Sequence, residues 1–247
     1  MKKTIFTLFL AVLLAACTNN TDTSSTSEPI SLEFPDRPDA QNPASGNSNW
    51  PGSWEFRSDS PSDDIVVAGD TLTADPDVWF TNMTPGWHAT MKSPAGIFWH
   101  PSSTAAGNYT ASANIFLFDP GSRNEGYGMF VGGSNLSQDN QEYLYFLLRK
   151  TGEFLVKRRS GDESVTVVDW TANDAIAAWT ETSEVNIENA LSVSTDGDSV
   201  SFAVNGTVVH TMPKGTLQLD GLVGFRLNHG TNVHISAFDV VEATAGE

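Results

Sequence analysis

The sequence predicts an all-β protein, a two-sheet antiparallel sandwich with at most one short helix. Three observations carry this. After Trp50 the apolar residues recur with a period of two; the runs are short and bounded by Gly, Asn, Asp and Pro; and only 174–179 reads as helical. With 247 residues, 39% of them hydrophobic and 10% aromatic, the chain can bury a proper core.

In chain order, strands are expected at 65–67, 97–99, 109–118, 127–131, 143–149, 154–159, 166–168, 191–195, 200–204, 207–212, 222–228 and 234–240. Within 143–149, Tyr143, Tyr145 and Leu147 fall on one face and Leu144, Phe146 and Leu148 on the other, so the all-apolar set should meet the core. The clearest hairpin is 200–212, where Asn205-Gly206 suits a type I′ turn with positive φ at both central residues. That turn sets Val204 opposite Thr207, Phe202 opposite Val209 and Val200 opposite Thr211. Val200, Phe202, Val204 and Val209 then share one face, and His210 lies on the other. Asp196-Gly197 turns the preceding strand in the same way, making 191–212 a three-stranded meander.

Thirty acidic residues stand against 13 basic ones, a formal net charge of -17, which disfavours nucleic acid as a partner. One cysteine makes no internal disulfide, and no Cys/His cluster has zinc-ligand spacing. Ser62-Asp63-Asp64, the 70–77 stretch and Asp196-Gly197-Asp198 could offer oxygen ligands to Ca²⁺. None has EF-hand order, so neither a metal nor another cofactor is expected.

Residues 1–16 read as an export signal: Lys2 and Lys3, then an apolar run from Ile5 to Leu14 too short to span ~30 Å of hydrocarbon, then small residues. The ending Leu14-Ala15-Ala16-Cys17 resembles the cleavage box of bacterial lipoproteins. That resemblance implies cleavage before Cys17, a diacylglycerol on its thiol and attachment to a membrane of the bacterial cell envelope. Thr18, with no Asp after the cysteine, implies the outer membrane by the same resemblance. Losing Lys2 and Lys3 and no acid, the exported part is more acidic still. Residues 17–49, rich in Ser, Thr, Asn and Pro, are expected as a flexible tether, in which Ile30, Leu32 and Phe34 hint at a docked strand. The sandwich occupies 50–247.

The succession YLYFLLRKTGEFLVKRR, Val168-Asp169-Trp170, NALSVSTDGDSVSFAVNG, GLVGFRLNHG and Phe238-Asp239-Val240 resembles the concanavalin A-like lectin/glucanase superfamily over roughly residues 50–241. Within it, the chain is similar to exported bacterial domains of the laminin-G-like and 3-keto-disaccharide hydrolase type. The resemblance implies a jelly roll with one concave sheet. It leaves function open, because the superfamily holds lectins, hydrolases and adhesive modules.

A laminarinase-like enzyme of this fold carries its carboxylates in an E-x-D-x-x-E run, at the ~5 to 5.5 Å separation of a retaining mechanism. No such run occurs, nor does a G-x-S-x-G elbow, an H-E-x-x-H helix or a phosphate-binding glycine loop. Glu125, where loop passes into strand, is the candidate general acid, unless it is a solvated loop residue or pairs with Arg123. It needs a second carboxylate or a histidine, which the sequence does not identify; His229 is carried as a catalytic candidate. His229 and His234 flank Gly230-Thr231-Asn232, which makes one a turn residue and puts the other on a non-core face.

A sugar stacks its C–H face on a flat ring while polar groups read its hydroxyls. The candidate ligand-binding set is therefore Trp99, Tyr127, Tyr143 and Tyr145, with His100 beside Trp99 and Arg149, Lys157 and Arg159 beside the tyrosines. Trp50, Trp54, Trp79 and Trp170 are expected in core or sheet-edge packing. The basic hairpin Arg149, Lys150, Lys157, Arg158 and Arg159 has two readings: cross-strand pairing with acids, or a positive site for an acidic sugar. The leading expectation is a lipid-anchored envelope protein that binds a carbohydrate or other envelope ligand. A glycoside or disaccharide hydrolase is the alternative, and a structural or adhesive surface protein the third.

Overall fold

The computed structural model describes residues 51–60, 67–68, 77–92, 95–183 and 185–243. The signal segment, Cys17, the tether, Trp50 and most of the strand expected at 65–67 lie outside the described residues. In chain order the strands are β1 (Glu55–Ser58), β2 (Val67–Ala68), β3 (Val78–Asn82), β4 (Trp87–Met91) and β5 (Gly96–Ala105). Next come β6 (Tyr109–Phe118), β7 (Tyr127–Ser134), β8 (Glu142–Arg149), β9 (Glu153–Ser160) and β10 (Glu163–Ala172). The last are β11 (Asn186–Asp196), β12 (Ser199–Val204), β13 (Thr207–Pro213), β14 (Gly221–Leu227) and β15 (Thr231–Glu242).

They form a seven-stranded sheet, β1-β5-β14-β7-β8-β9-β10, and an eight-stranded sheet, β13-β12-β11-β6-β15-β4-β3-β2. Among the described strands only the β2–β3 pair is parallel. The architecture is the antiparallel two-sheet jelly roll that the alternation predicts. In β6, for example, Tyr109, Ala111, Ala113, Ile115 and Leu117 point inward and are buried, while Thr110, Ser112 and Asn114 point outward. Leu144, Phe146 and Leu148 join the core between the sheets, as their face requires. Ring contacts cross the interface: Phe146 of β8 lies 5.2 Å from Phe202 of β12, and Phe98 of β5 lies 4.8 Å from Phe80 of β3.

Three local expectations are corrected. The Asn205-Gly206 hairpin forms, with φ of 50° and 78°, and Val204 meets Thr207. A β-bulge then shifts the pairing, so Phe202 faces His210 and Val200 faces Met212. The extra residue turns His210 inward, its ring 6.3 Å from Phe202 and 6.4 Å from Phe154. The segment 174–179 is not helical. Asn189 takes its backbone groups instead: Oδ1 accepts from Ala177 N at 2.9 Å, and Nδ2 donates to Ala177 O at 3.1 Å. Finally, β1, β3 and β4 went unforeseen. Alternation is masked in β3 because its outward Trp79 is as buried as its inward Val78 and Phe80.

Trp79 belongs to a covered patch on the outward face of the eight-stranded sheet. There His88 Nε2 lies 2.6 Å from Asn232 Oδ1, and Thr90 Oγ1 donates to the same oxygen at 3.2 Å. His234, 6.1 Å from His88, lies on this non-core face as expected. Burial lowers its pKa, against the opposing pull of a hydrogen bond to the Pro85 backbone.

Candidate functional site

The candidate ligand-binding residues converge on the face of the seven-stranded sheet turned away from the core. Pairing of β8 with β9 sets Tyr143 opposite Arg159, Tyr145 opposite Lys157, Leu147 opposite Leu155 and Arg149 opposite Glu153. Ile97 and Trp99 of β5 and Phe130 of β7 continue the same surface. Spacing pairs Tyr143 with Tyr145 and Lys157 with Arg159, and the register puts both pairs on one face.

Most of that face is closed. Ile97, Trp99, Phe130, Tyr143, Tyr145, Leu147 and Leu155 form a second buried cluster, in which Trp99 is 2%, Tyr143 1% and Tyr145 5% exposed. An arginine roofs it. Arg226 of β14 lays its guanidinium 4.7 Å above the Tyr145 ring and donates through Nη1 to Tyr143 Oη at 3.0 Å. It forks onto Asp59 through Nη1 to Oδ1 at 3.0 Å and Nη2 to Oδ2 at 2.5 Å. Burial opposes the charge on Arg226, but Tyr143 and Asp59 outweigh it and hold the guanidinium protonated. Burial likewise pushes the Tyr143 phenol up to about 12, although Arg226 pulls it down. Tyr145 Oη is 2.7 Å from Ser164 Oγ, and Arg57 Nη1 donates to the Leu136 and Gln138 carbonyls at 3.2 and 2.8 Å.

The expected sugar platform of Trp99, Tyr143 and Tyr145 is therefore corrected: the rings lie on the right face but under this roof. Tyr127 and His100 lie on the opposite face. Tyr127 is fully buried in the main core, where Asn189 Nδ2 donates to its Oη at 3.3 Å, and burial raises its pKa. His100 alternates with Trp99, so its ring turns to Trp54, 6.0 Å away, and its Nδ1 accepts from Ser102 N at 3.2 Å.

The open part of the face is one end, where Trp170 of edge strand β10 packs against the second cluster, as the sheet-edge expectation has it, and is half-buried. Arg149 lays its guanidinium 4.4 Å over the Trp170 ring. Glu153 fixes the arginine, accepting from Nε at 2.7 Å and from Nη2 at 2.5 Å. Arg149 and Thr151, whose hydroxyl also donates to Glu153, hold that carboxyl below its usual range. Gly126 leaves room for the neighbours to converge: a Cβ there would lie 2.8 Å from Leu147 Cδ1 and 3.3 Å from both Asn228 Nδ2 and Trp170 Cη2. The ring of the edge strand thereby leans back over the sheet toward the loop that starts β7.

That loop brings Glu125 to His229, with Oε1 to Nε2 at 3.1 Å. The two candidate catalytic residues, from the β6–β7 and β14–β15 connections, therefore do meet. Glu125 pairs with His229 and not with Arg123, which lies against Gly230. The basic hairpin largely follows its plainer reading: Arg149 pairs with Glu153, Arg158 with Glu142 at 3.1 Å, and Arg159 with Asp162 at 3.8 Å. Among the described residues no three His, Cys, Asp or Glu side chains gather as metal ligands.

A flat ring with an arginine, an asparagine, two carboxylates and an imidazole around it can stack a sugar ring and read its hydroxyls. An open cleft of about 530 Å³ lies at the opposite end of the sandwich, between Gly107, Asp198, Lys214 and Asp220. It offers no aromatic ring, and Asp220 Oδ1 already accepts from Gly107 N at 3.0 Å.

The sequence matches no protein-family model and no curated protein. Solved structures do match. The carbohydrate-binding module CBM66 from Bacillus subtilis aligns with a TM-score of 0.53 at 9% identity, over 67% of this chain and 92% of that one. The exoplasmic/lumenal domain of VIP36, in a form bound to Ca²⁺ and a mannose-containing glycan, aligns with a TM-score of 0.53 at 10% identity, over 79% and 85%. A GH16 protein of a mixed-linkage glucan locus from Bacteroides ovatus aligns with a TM-score of 0.51 at 8% identity, over 79% and 98%. The fold is the concanavalin A-like jelly roll of lectins and glucanases.

Proposed function

We propose that this is a carbohydrate-binding protein of the bacterial cell envelope, held to the outer membrane by a lipidated Cys17 and taking a glycan at the Trp170 end of its seven-stranded sheet. The carrying observation is the half-buried Trp170 ring under Arg149, with Asn228, Glu153 and the Glu125–His229 pair around it. Structural neighbours that include a carbohydrate-binding module and a glycan-bound lectin domain support the reading at the level of the fold. In a glycan array followed by calorimetry, Trp170→Ala should weaken binding roughly tenfold or more, while Tyr145→Phe, under the Arg226 roof, should leave it unchanged. Absence of binding to every glycan, or full affinity in Trp170→Ala, would sink the proposal. For the anchor, fatty-acid labelling should reach the wild-type protein and not Cys17→Ser.

The Glu125–His229 contact favours a second reading, hydrolysis of a glycosidic bond, with Glu125 as the acid and His229 as its partner. Turnover on a glycoside panel that disappears in Glu125→Gln supports it; no turnover of any member retires it.

A further inference from the structure

The cations of this molecule are segregated. All six Lys and Arg residues in the described strands, Arg57, Arg149, Lys157, Arg158, Arg159 and Arg226, belong to the seven-stranded sheet. Five of them meet a carboxylate: Asp139, Glu153, Glu142, Asp162 and Asp59 in turn for Arg57, Arg149, Arg158, Arg159 and Arg226. Lys157 is the exception, half-buried and with no hydrogen bond or ion pair among the described residues. Off the strands, neither Arg123, whose side chain lies against the Gly230 backbone next to His229, nor Lys150, whose Nζ donates to the Gly121 carbonyl at 2.6 Å, has a carboxylate partner there.

Of these, Lys157 and Arg123 stand on the elements that neighbour the Trp170 site. Lys157 projects from the same face of β9 as Leu155, which packs in the cluster that Trp170 borders. Arg123 stands on the loop side, beside the Glu125–His229 pair. An unpaired cation holds a local field within about 8 to 10 Å, and the two carboxylates at this site, Glu125 and Glu153, are themselves engaged with His229 and Arg149. Two such cations on the elements around an aromatic ring suit a ring-shaped ligand that carries its own carboxylates.

We infer that the glycan bound at Trp170 is acidic, a uronate-containing polysaccharide whose carboxylates meet Lys157 and Arg123. The inference rests on the carbohydrate-binding reading and narrows its ligand class. The sugar ring stacks on the Trp170 face that Arg149 does not cover, Arg149 stays committed to Glu153, and Lys157 and Arg123 select for charge.

The test is calorimetry of the wild-type protein with oligogalacturonate, oligomannuronate and hyaluronan fragments, each against its carboxyl-reduced counterpart of the same backbone. At least one uronate should bind about tenfold tighter than its reduced form. Lys157→Gln should cut that preference by about two- to fivefold, and a preference unchanged in Lys157→Gln would overturn the inference. Equal or tighter binding of the reduced forms overturns the inference and leaves the carbohydrate-binding reading standing. No binding of any polysaccharide, acidic or neutral, removes both.

Discussion

Asp59→Ala should destabilise the fold by about 2–3 kcal/mol, read as a lower urea midpoint with an unchanged slope. Its carboxylate forks onto Arg226, whose side chain is 8% exposed. Without it the guanidinium keeps only Tyr143 Oη and the Tyr145 face as partners, and Arg226 Nε already has no hydrogen bond. A buried charge stripped of its counter-ion usually costs about 3–5 kcal/mol. The lower figure applies because Asp59 itself is 25% exposed and water can partly replace it. The double variant Asp59→Ala/Arg226→Met should recover part of the loss, since it removes the stranded charge and keeps the roof over Tyr145. An Asp59→Ala midpoint equal to wild type would mean that the pair does not hold the second cluster closed.

Phe146→Ala should cost more, about 3–5 kcal/mol. Phe146 is 1% exposed and sits between Phe154 at 6.1 Å in its own sheet and Phe202 at 5.2 Å in the other. Truncation opens a cavity where the two sheets meet, and strands hydrogen-bonded on both sides cannot collapse into it. Val165→Ala, on edge strand β10 and 53% exposed, is the control and should stay within about 0.5 kcal/mol of wild type. Denaturant unfolding of the three proteins checks the ranking; a Phe146→Ala loss as small as that of Val165→Ala would contradict the packing described.

How far the sequence reveals this structure depends on the range of the interaction involved. The β8–β9 hairpin was legible because its side chains alternate cleanly, and alternation put Tyr143 with Tyr145 and Lys157 with Arg159, pairs that the register sets on one face. Exposure was not legible. The roof joins Arg226 to Asp59, 167 residues away, and no local pattern links such positions. Tyr127 heads a run, Tyr-Gly-Met-Phe-Val, that is apolar on both faces, so periodicity could not say which face meets the core. Its burial in the main core follows from the pairing of β7 with β14 and β8. Trp170 escaped for the opposite reason: two register shifts interrupt the β9–β10 pairing around it, and its half-exposed setting depends on how an edge strand bends. Glu125 and His229 were each singled out, and only the folded chain shows the 3.1 Å contact between them.

The seven-stranded sheet has packed side chains on both faces, one set against the eight-stranded sheet and the other beneath Arg226. Its middle strands β7, β8 and β14 are buried along nearly their whole length, whereas its edge strand β10 and β13, the edge of the eight-stranded sheet, are largely exposed. Amide hydrogens of the middle strands should exchange with solvent only when the whole domain opens, while those of β10 and β13 escape through local fraying. Trp170 stands on one of the strands that frays. The proposed binding surface therefore borders a slow-exchanging slab on one side and a breathing edge on the other, and a glycan laid on Trp170 would be felt first as slower exchange along β10.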